Sequence, residues 1–285
     1  MRWLLLLICL TSCTSQEHHF QGIAMKIPYH VIIGKSLSSQ EKQRIAQIIE
    51  DTFSEVNQTF NHYNDLSELS ELNHQEEMTL SPSLLHLIAL SRNIHLLTHG
   101  KFDPTIGAAI ISWKQALKEG HAPENLAACL SGFDNLEIEG NHCRKKQPIV
   151  LDLDGIAKGY TVDLITERLA LYHNVFVNWG GDIRVLGRHP SGRHWTVQIG
   201  ESDTVIDLEN EAIATSGETY QIHILNPLTL APLEKSPFTS VSVLAPSCAL
   251  ADSLATAAMV CETLQELDQL KNSIPSAHFL ITNKK

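Results

Sequence analysis

Two carboxylates, Asp152 and Asp154, a glycine, Gly155, and a lysine, Lys158, fall together in the stretch LDLDGIAKGYTVD that starts at Leu151. Ile149, Val150, Leu151 and Leu153 read as a buried strand, Asp154-Gly155 as a turn, and Ile156 onward as the start of a helix. A turn that feeds a helix presents free backbone N–H groups, which suit an anion. Gly155 lets a ligand approach the main chain closely. Lys158 adds a mobile positive charge, and the two aspartates supply hard oxygens of the kind Mg²⁺ takes. The same residues also describe an ordinary strand–turn–helix with a surface lysine, and the stretch alone leaves both readings open.

A second candidate lies in the small-residue helix read over Ala249–Val260. Asp252 and Thr256 are four apart there, so both side chains face one way. A carboxylate and a hydroxyl on one face make half a site for a hard cation; alternatively, Thr256 bonds to its own helix and Asp252 is solvated. His95 and His99 share the spacing of a metal pair, but no glutamate base accompanies them, and the favourable dipole at a helix C-terminus accounts for a histidine there. Gly180-Gly181-Asp182 follows the strand Val175–Asn178, where paired glycines permit either a bulge or close ligand approach.

The elements that must position these residues alternate along the chain. Lys26–Ile33 reads as a strand, with Met25 before it. Ser38 and Glu41 form a capping box that opens a helix to Phe60, with Ile45, Ile48, Ile49, Phe53 and Val56 on one face. The polar stretch FNHYNDLSELSELN, from Phe60 to Asn73 and containing Tyr63, reads as a loop over something. Ser81-Pro82 opens the next helix, which Gly100 ends. After Lys101-Phe102, Asp103 reads as the N-cap of a helix from Pro104 to Lys118. A short helix over Pro123–Leu130 and strands over Leu136–Ile138 and Pro148–Leu153 lead into the central stretch, whose helix runs to about Leu171. Short strands follow at Trp195–Ile199, Val205–Leu208, Ala212–Ala214, His223–Leu225 and Ser240–Leu244. A helix over Glu262–Leu270 and a strand over His278–Ile281 complete the pattern. One α+β domain of mixed, mostly antiparallel sheet with packed helices accounts for it.

The chain has 285 residues, enough to bury a large core, and a formal net charge of −11. That charge argues against a nucleic-acid partner and requires any anionic ligand to be held by local features. Arg2 and the apolar run Trp3–Leu10 read as a leader, too short to span a bilayer. Leu10-Thr11-Ser12-Cys13 resembles a bacterial lipobox, with a plain secretory peptide as the alternative. The expected organisation is a lipoprotein signal peptide over 1–12, a tether over 13–19 after a lipidated Cys13, and one domain over 20–285; Glu17–Gly22, across that boundary, looks like a short tether. Cys129, Cys143, Cys248 and Cys261 remain beyond the leader; no zinc spacing joins them, and buried thiols and disulfides both stay open.

Several stretches, in order, resemble the ApbE-like FAD:protein FMN transferases: FNHYNDLSELSELN, GKFDPTIGAAI, LDLDGIAKGYTVD, VNWGGDIRVLG, AIATSGETY, HILNPLTLAP and SVSVLAPSCALADSLATAAMV. The resemblance implies that FAD binds with Mg²⁺ at its diphosphate, that FMN moves to a threonine or serine hydroxyl of an acceptor protein, and that AMP leaves. It implies Asp252, Thr256 and the Gly155 carbonyl as metal ligands. It implies FAD contacts at Met25, Tyr63, Lys101, Phe102, Asp103, Asp152, Lys158 and Leu225, and His223 as the base, with Asp252 counted among the catalytic residues. The expected acceptor is a subunit of a membrane redox complex. The expected location is the periplasmic side of the inner membrane, held by the lipid anchor, with the outer membrane as the alternative. Two other outcomes use the same site: hydrolysis of FAD to FMN and AMP, and flavin binding without turnover. The sequence departs from the family pattern in its short Glu218–Ile222 connection, in Leu230 where a turn glycine is common, and in Asp154 where a small residue is usual.

Overall fold

The β-branched runs of the sequence come together in one seven-stranded sheet. The computed structural model describes residues 17–121, 125–199, 204–217, 224–233 and 236–283. In chain order the elements are β1 (His18–Ala24), β2 (Ile27–Ile33), α1 (Ser39–Thr59), α2 (Glu68–His74), β3 (Glu77–Thr79), α3 (Pro82–Leu97) and α4 (Gly107–Glu119). They continue with β4 (Leu136–Glu139), β5 (His142–Lys145), α5 (Asp154–Arg168), β6 (Val175–Trp179), β7 (Asp182–Leu186), β8 (Trp195–Gln198), β9 (Val205–Leu208) and β10 (Ala212–Gly217). The last are β11 (Leu225–Asn226), β12 (Ala231–Pro232), β13 (Phe238–Ala245), α6 (Cys248–Met259), α7 (Leu264–Ser273) and β14 (His278–Asn283). The large sheet runs β1-β2-β6-β7-β10-β13-β14, and every neighbouring pair is antiparallel. This is the α+β architecture expected.

Helices α5 and α6 cross at close range. An ideal Cβ on Gly159 would stand 2.3 Å from the Cys248 carbonyl oxygen, so only glycine lets the two backbones meet. Helix α1 lays Ile45, Ile49 and Phe53 against Val31, Val175 and Val177 of the sheet and Val162 and Ile165 of α5. Each fully buried isoleucine contributes about 1.5–3 kcal/mol. The α1 capping box forms as expected: Ser38 N donates to Glu41 Oε2 at 2.8 Å and Glu41 N to Ser38 Oγ at 3.2 Å. Another cluster, built on Ile183, Val185, Trp195 and Leu208, joins the β8–β9 hairpin to the sheet.

Several elements differ from expectation. The Glu17–Gly22 tether is largely strand: β1 pairs with β2 across a two-residue turn at Met25-Lys26, both at positive φ (47° and 67°). Ile149–Leu153 is no strand. A single bridge pairs Val150 with Ile106, and the Asn73 side chain clamps Leu151 from both sides, at 2.8 and 2.9 Å, taking the place of a neighbouring strand. The polar Phe60–Asn73 stretch holds all but the last residue of α2, capped by Ser67 and anchored by buried Leu69 and Leu72. Asp103 caps no helix; its carboxylate accepts from the Thr105 amide (2.8 Å) and hydroxyl (2.6 Å), and α4 starts at Gly107. Gly180-Gly181 is the two-residue turn of the β6–β7 hairpin, with φ of 61° and 96°, and no bulge. The Pro123–Leu130 helix reduces to a 3₁₀ turn at Leu126–Ala128, with residues 122–124 outside the described set. Strands β3, β5 and β7 have no counterpart in the sequence reading.

Candidate functional site

The α5–α6 crossing places the second sequence candidate against the first. Asp252 is buried, and its Oδ2 accepts from the Gly159 amide at 3.1 Å. One turn on, the Thr256 hydroxyl lies 3.2 Å from Ser216 Oγ at the end of β10. Neither a solvated Asp252 nor a Thr256 turned into its own helix describes this arrangement. Gly155, in the first turn of α5, faces Thr256: an added Cβ would lie 3.5 Å from Thr256 Oγ1 and 3.4 Å from the Phe102 ring. The glycine therefore keeps open the approach between its own backbone and the Thr256 hydroxyl. Carboxylate, hydroxyl and carbonyl are all hard oxygens, the donor set a magnesium ion prefers.

Lys158 lies beside this group. Its ammonium pairs with the carboxylate of Asp182, which follows the diglycine turn and is almost fully buried. Burial pulls the lysine down, but Asp252 and Asp182 outweigh it and hold the ammonium above the ordinary lysine range. Burial and the Asp252 charge push the Asp182 carboxyl well above the usual carboxylate range, while Lys158 opposes them.

A second charge network borders the first. Lys114, on α4, reaches Asp154 Oδ2 at 2.7 Å, Asp152 Oδ2 at 3.2 Å and the Tyr63 hydroxyl at 3.0 Å. Tyr63 in turn donates to Asp154 Oδ2 at 3.1 Å. Burial and the neighbouring Asp154 raise the Asp152 carboxyl, against the pull of Lys114 and His62.

These residues line two adjoining cavities of about 320 and 310 Å³, which share Asp154 and Lys158. The first takes in Lys101, Phe102, Asp103, Asp152, Gly155, Thr215, Ser216, Leu225, Asp252 and Thr256. The second takes in Met25, Phe60, Tyr63 and Trp179. The two volumes together fall in the range of a cofactor-sized site. Lys101 also pairs with Glu266 on α7 at 2.7 Å. His95 donates from Nδ1 to the Phe102 carbonyl at 3.0 Å and steadies that loop, while His99 lies past the end of α3 at φ 51°, so the two do not form a metal pair.

Of the site residues expected from sequence, Met25, Tyr63, Lys101, Phe102, Asp103, Asp152, Gly155, Lys158, Leu225, Asp252 and Thr256 all line this double cavity. His223 and Cys13 lie outside the described residues. The sequence reading assigned no role to Lys114, Asp182, Ser216 or His62. Lys114 lies two turns after Gly107, which packs directly on the Val150–Asp152 backbone, a contact that only the fold reveals.

The ApbE family profile matches residues 25–280. The FAD:protein FMN transferase of Chlamydia trachomatis is 38% identical over 280 residues, covering 90% of this chain and 89% of the relative. The FAD:protein FMN transferase of Vibrio cholerae is 29% identical over 290 residues, covering 89% of this chain and 85% of the relative. Among solved structures, a histidine-to-glycine mutant of the Vibrio cholerae flavin transferase ApbE aligns with a TM-score of 0.85 at 28% identity, covering 95% of this chain and 94% of that one. The apo form of the Pseudomonas stutzeri flavinyl transferase ApbE shares the fold, with a TM-score of 0.85 at 24% identity over 95% of this chain and 92% of that one. The chain belongs to the ApbE family.

Proposed function

We propose that this chain moves FMN from FAD to a threonine or serine hydroxyl of an acceptor protein and releases AMP. It is an FAD:protein FMN transferase, the activity for which its relatives are named. The observation that carries the finer reading is the meeting of Asp252, Thr256 and Gly155 at one wall of a cavity that continues to Met25 and Tyr63. An extended dinucleotide requires such a site: a hard-oxygen cluster for its diphosphate and an apolar recess for an aromatic ring.

Magnesium fits the donors, and Asp252, Thr256 and the Gly155 carbonyl are the groups that would hold it. When bound, it would supply charge neutralisation on the diphosphate. Phosphoryl transfer asks a protein mainly for positioning and for stabilising charge. Lys158, kept charged by Asp182 and Asp252, supplies fixed positive charge at the same wall. The Gly159 amide orients the Asp252 carboxylate, and Ser216 orients the Thr256 hydroxyl. In the transfer, the acceptor oxygen bonds to the FMN phosphorus, the bond from that phosphorus to the bridging oxygen breaks, and AMP leaves with the bridging oxygen. His223 takes the acceptor proton in this reading.

Membrane attachment through a lipid on Cys13 is part of the same proposal, supported by the Leu10-Thr11-Ser12-Cys13 order. It would present the site to a redox-complex subunit at the periplasmic face of the inner membrane. The test mixes protein, FAD, Mg²⁺ and a threonine-bearing acceptor, then follows in-gel flavin fluorescence and AMP together. Covalent flavin with equimolar AMP is the expected result. AMP without labelled acceptor would replace transfer with hydrolysis, and intact FAD would leave binding alone.

A further inference from the structure

We propose that His62, Asp152 and Asp154 form a second cation site, fitted to a divalent transition metal of the zinc class, between the loop after α1 and the start of α5, on the border of the cavity that Asp152 and Asp154 also line. The His62 side chain is only 6% exposed, and neither ring nitrogen has a hydrogen-bond partner. A buried imidazole with both nitrogens unsatisfied is costly, and such a group calls for an occupant. Its Nδ1 faces Oδ1 of Asp154 at 3.5 Å and Oδ1 of Asp152 at 3.8 Å, and one ligand atom from each residue lies within 4.8 Å of the others.

Those separations are too long for a charge-assisted hydrogen bond, which closes to about 2.7–2.9 Å. They are close to what a shared ion needs: ligand atoms about 2.1 Å from a tetrahedral centre are about 3.4 Å apart. The carboxylates also present different edges to different partners. Their Oδ2 atoms hold Lys114, while the Oδ1 atoms turn toward His62, with Asp152 Oδ1 also accepting the Asp154 amide at 2.8 Å. Two carboxylates and one ammonium leave one negative charge at the cluster. An imidazole in the donor set favours zinc-like ions over magnesium, which prefers oxygen alone. This site shares none of the Asp252, Thr256 and Gly155 donors, and a bound ion would tie the Tyr63 loop to the first turn of α5.

The experiment titrates cobalt(II), as a spectroscopic stand-in for zinc, into chelator-treated full-length protein without flavin and with excess Mg²⁺. The expected result is one equivalent with the intense visible bands of a tetrahedral site, displaced by zinc. His62→Gln and, separately, the half-exposed Asp154→Ser should each weaken cobalt binding by at least about 10-fold, since losing even a supporting partner of a metal ligand costs that much. Asp252→Ala should leave the equivalent in place. Circular dichroism melts confirm that each variant is folded, and Asp154→Ser carries the test if His62→Gln is not. Absence of saturable uptake would overturn the proposal, as would uptake unchanged in a folded His62 or Asp154 variant, or uptake lost in Asp252→Ala. Because no flavin is present, the result is independent of the transferase reading.

Discussion

The Gly159 amide donates to the Asp252 carboxylate at 3.1 Å, across a helix crossing too tight for any side chain at Gly159. The fold and the candidate site therefore depend on the same contact. Four residues further along α5, Asp163 accepts from the amides of Cys248 (2.8 Å) and Ala249 (2.9 Å), the first two residues of α6. Helix α5 thus fixes α6 twice from one face, at its N-terminus and at the residue facing the cavity. An anion at a helix N-terminus also interacts favourably with the helix dipole.

Gly159→Ala should damage stability and site together. The new methyl would meet the Cys248 carbonyl, which is backbone and has little room to move. Overpacking of this kind costs about 1–3 kcal/mol, and a backbone obstacle places the cost at the upper end. Urea denaturation should show a lower midpoint, and FAD binding should weaken in the folded variant. A wild-type midpoint would mean that the helices separate without penalty.

Asp252→Ala should separate chemistry from folding. The variant loses one hydrogen bond to the Gly159 amide, a cost of about 1–3 kcal/mol for a buried unsatisfied group. Lys158 keeps Asp182 as its partner. Acceptor labelling at saturating Mg²⁺ should fall by about 10³, the scale seen when one preorganised electrostatic group is removed. Labelling within a few-fold of wild type would remove Asp252 from the proposed metal site.

The sequence carried the helices well because their signals are local. Ser38 with Glu41, and Ser81 with Pro82, mark helix starts through contacts no more than three residues apart. The run Ile149–Leu153 misled because an apolar stretch is equally buried as strand or as extended coil. Its partner is a side chain, Asn73, nearly eighty residues away (78), which no periodicity reveals. Spacing put Asp252 and Thr256 on one face of one helix, but it left a solvated carboxylate and a self-bonded hydroxyl equally open, and only the family resemblance pointed to a cavity wall there. The Lys114–Asp152–Asp154–Tyr63 network was not legible, because three separate segments supply it.

Lys114→Met should lower stability by an amount that does not change between about pH 6 and pH 9. Burial pulls Lys114 down, but Asp152 and Asp154 outweigh it and raise the ammonium above the ordinary lysine range. A lysine raised in the folded state contributes stability that is fully present below its unfolded value, about 10.4. That contribution is lost only as pH rises through the higher folded value, beyond this window. The penalty should be about 3 kcal/mol, because the buried Asp152 loses its main partner. Thermal melts of both proteins across the window test this, and a gap that closes by pH 9 would show that burial outweighs the two aspartates and that Lys114 titrates below the ordinary lysine range.

Thiol chemistry tests the packing around the same crossing. Cys129, Cys143, Cys248 and Cys261 are all free, and Cys129 alone of the four is not buried. Burial pushes the Cys261 thiol up to about 11, and raises Cys143 and, further still, Cys248. Alkylation needs the thiolate, which at pH 8 is about 0.1% of a thiol with a pKa near 11, and it also needs access. Iodoacetamide at pH 8 should therefore label Cys129 in the native protein and reach the other three only after unfolding, as read by peptide mass mapping. Cys248 is the sharpest of these probes, because its carbonyl faces Gly159 and its amide caps onto Asp163. Rapid native labelling there would mean that α5 and α6 open on the labelling timescale, and Asp252 would then lack the fixed position that metal binding requires.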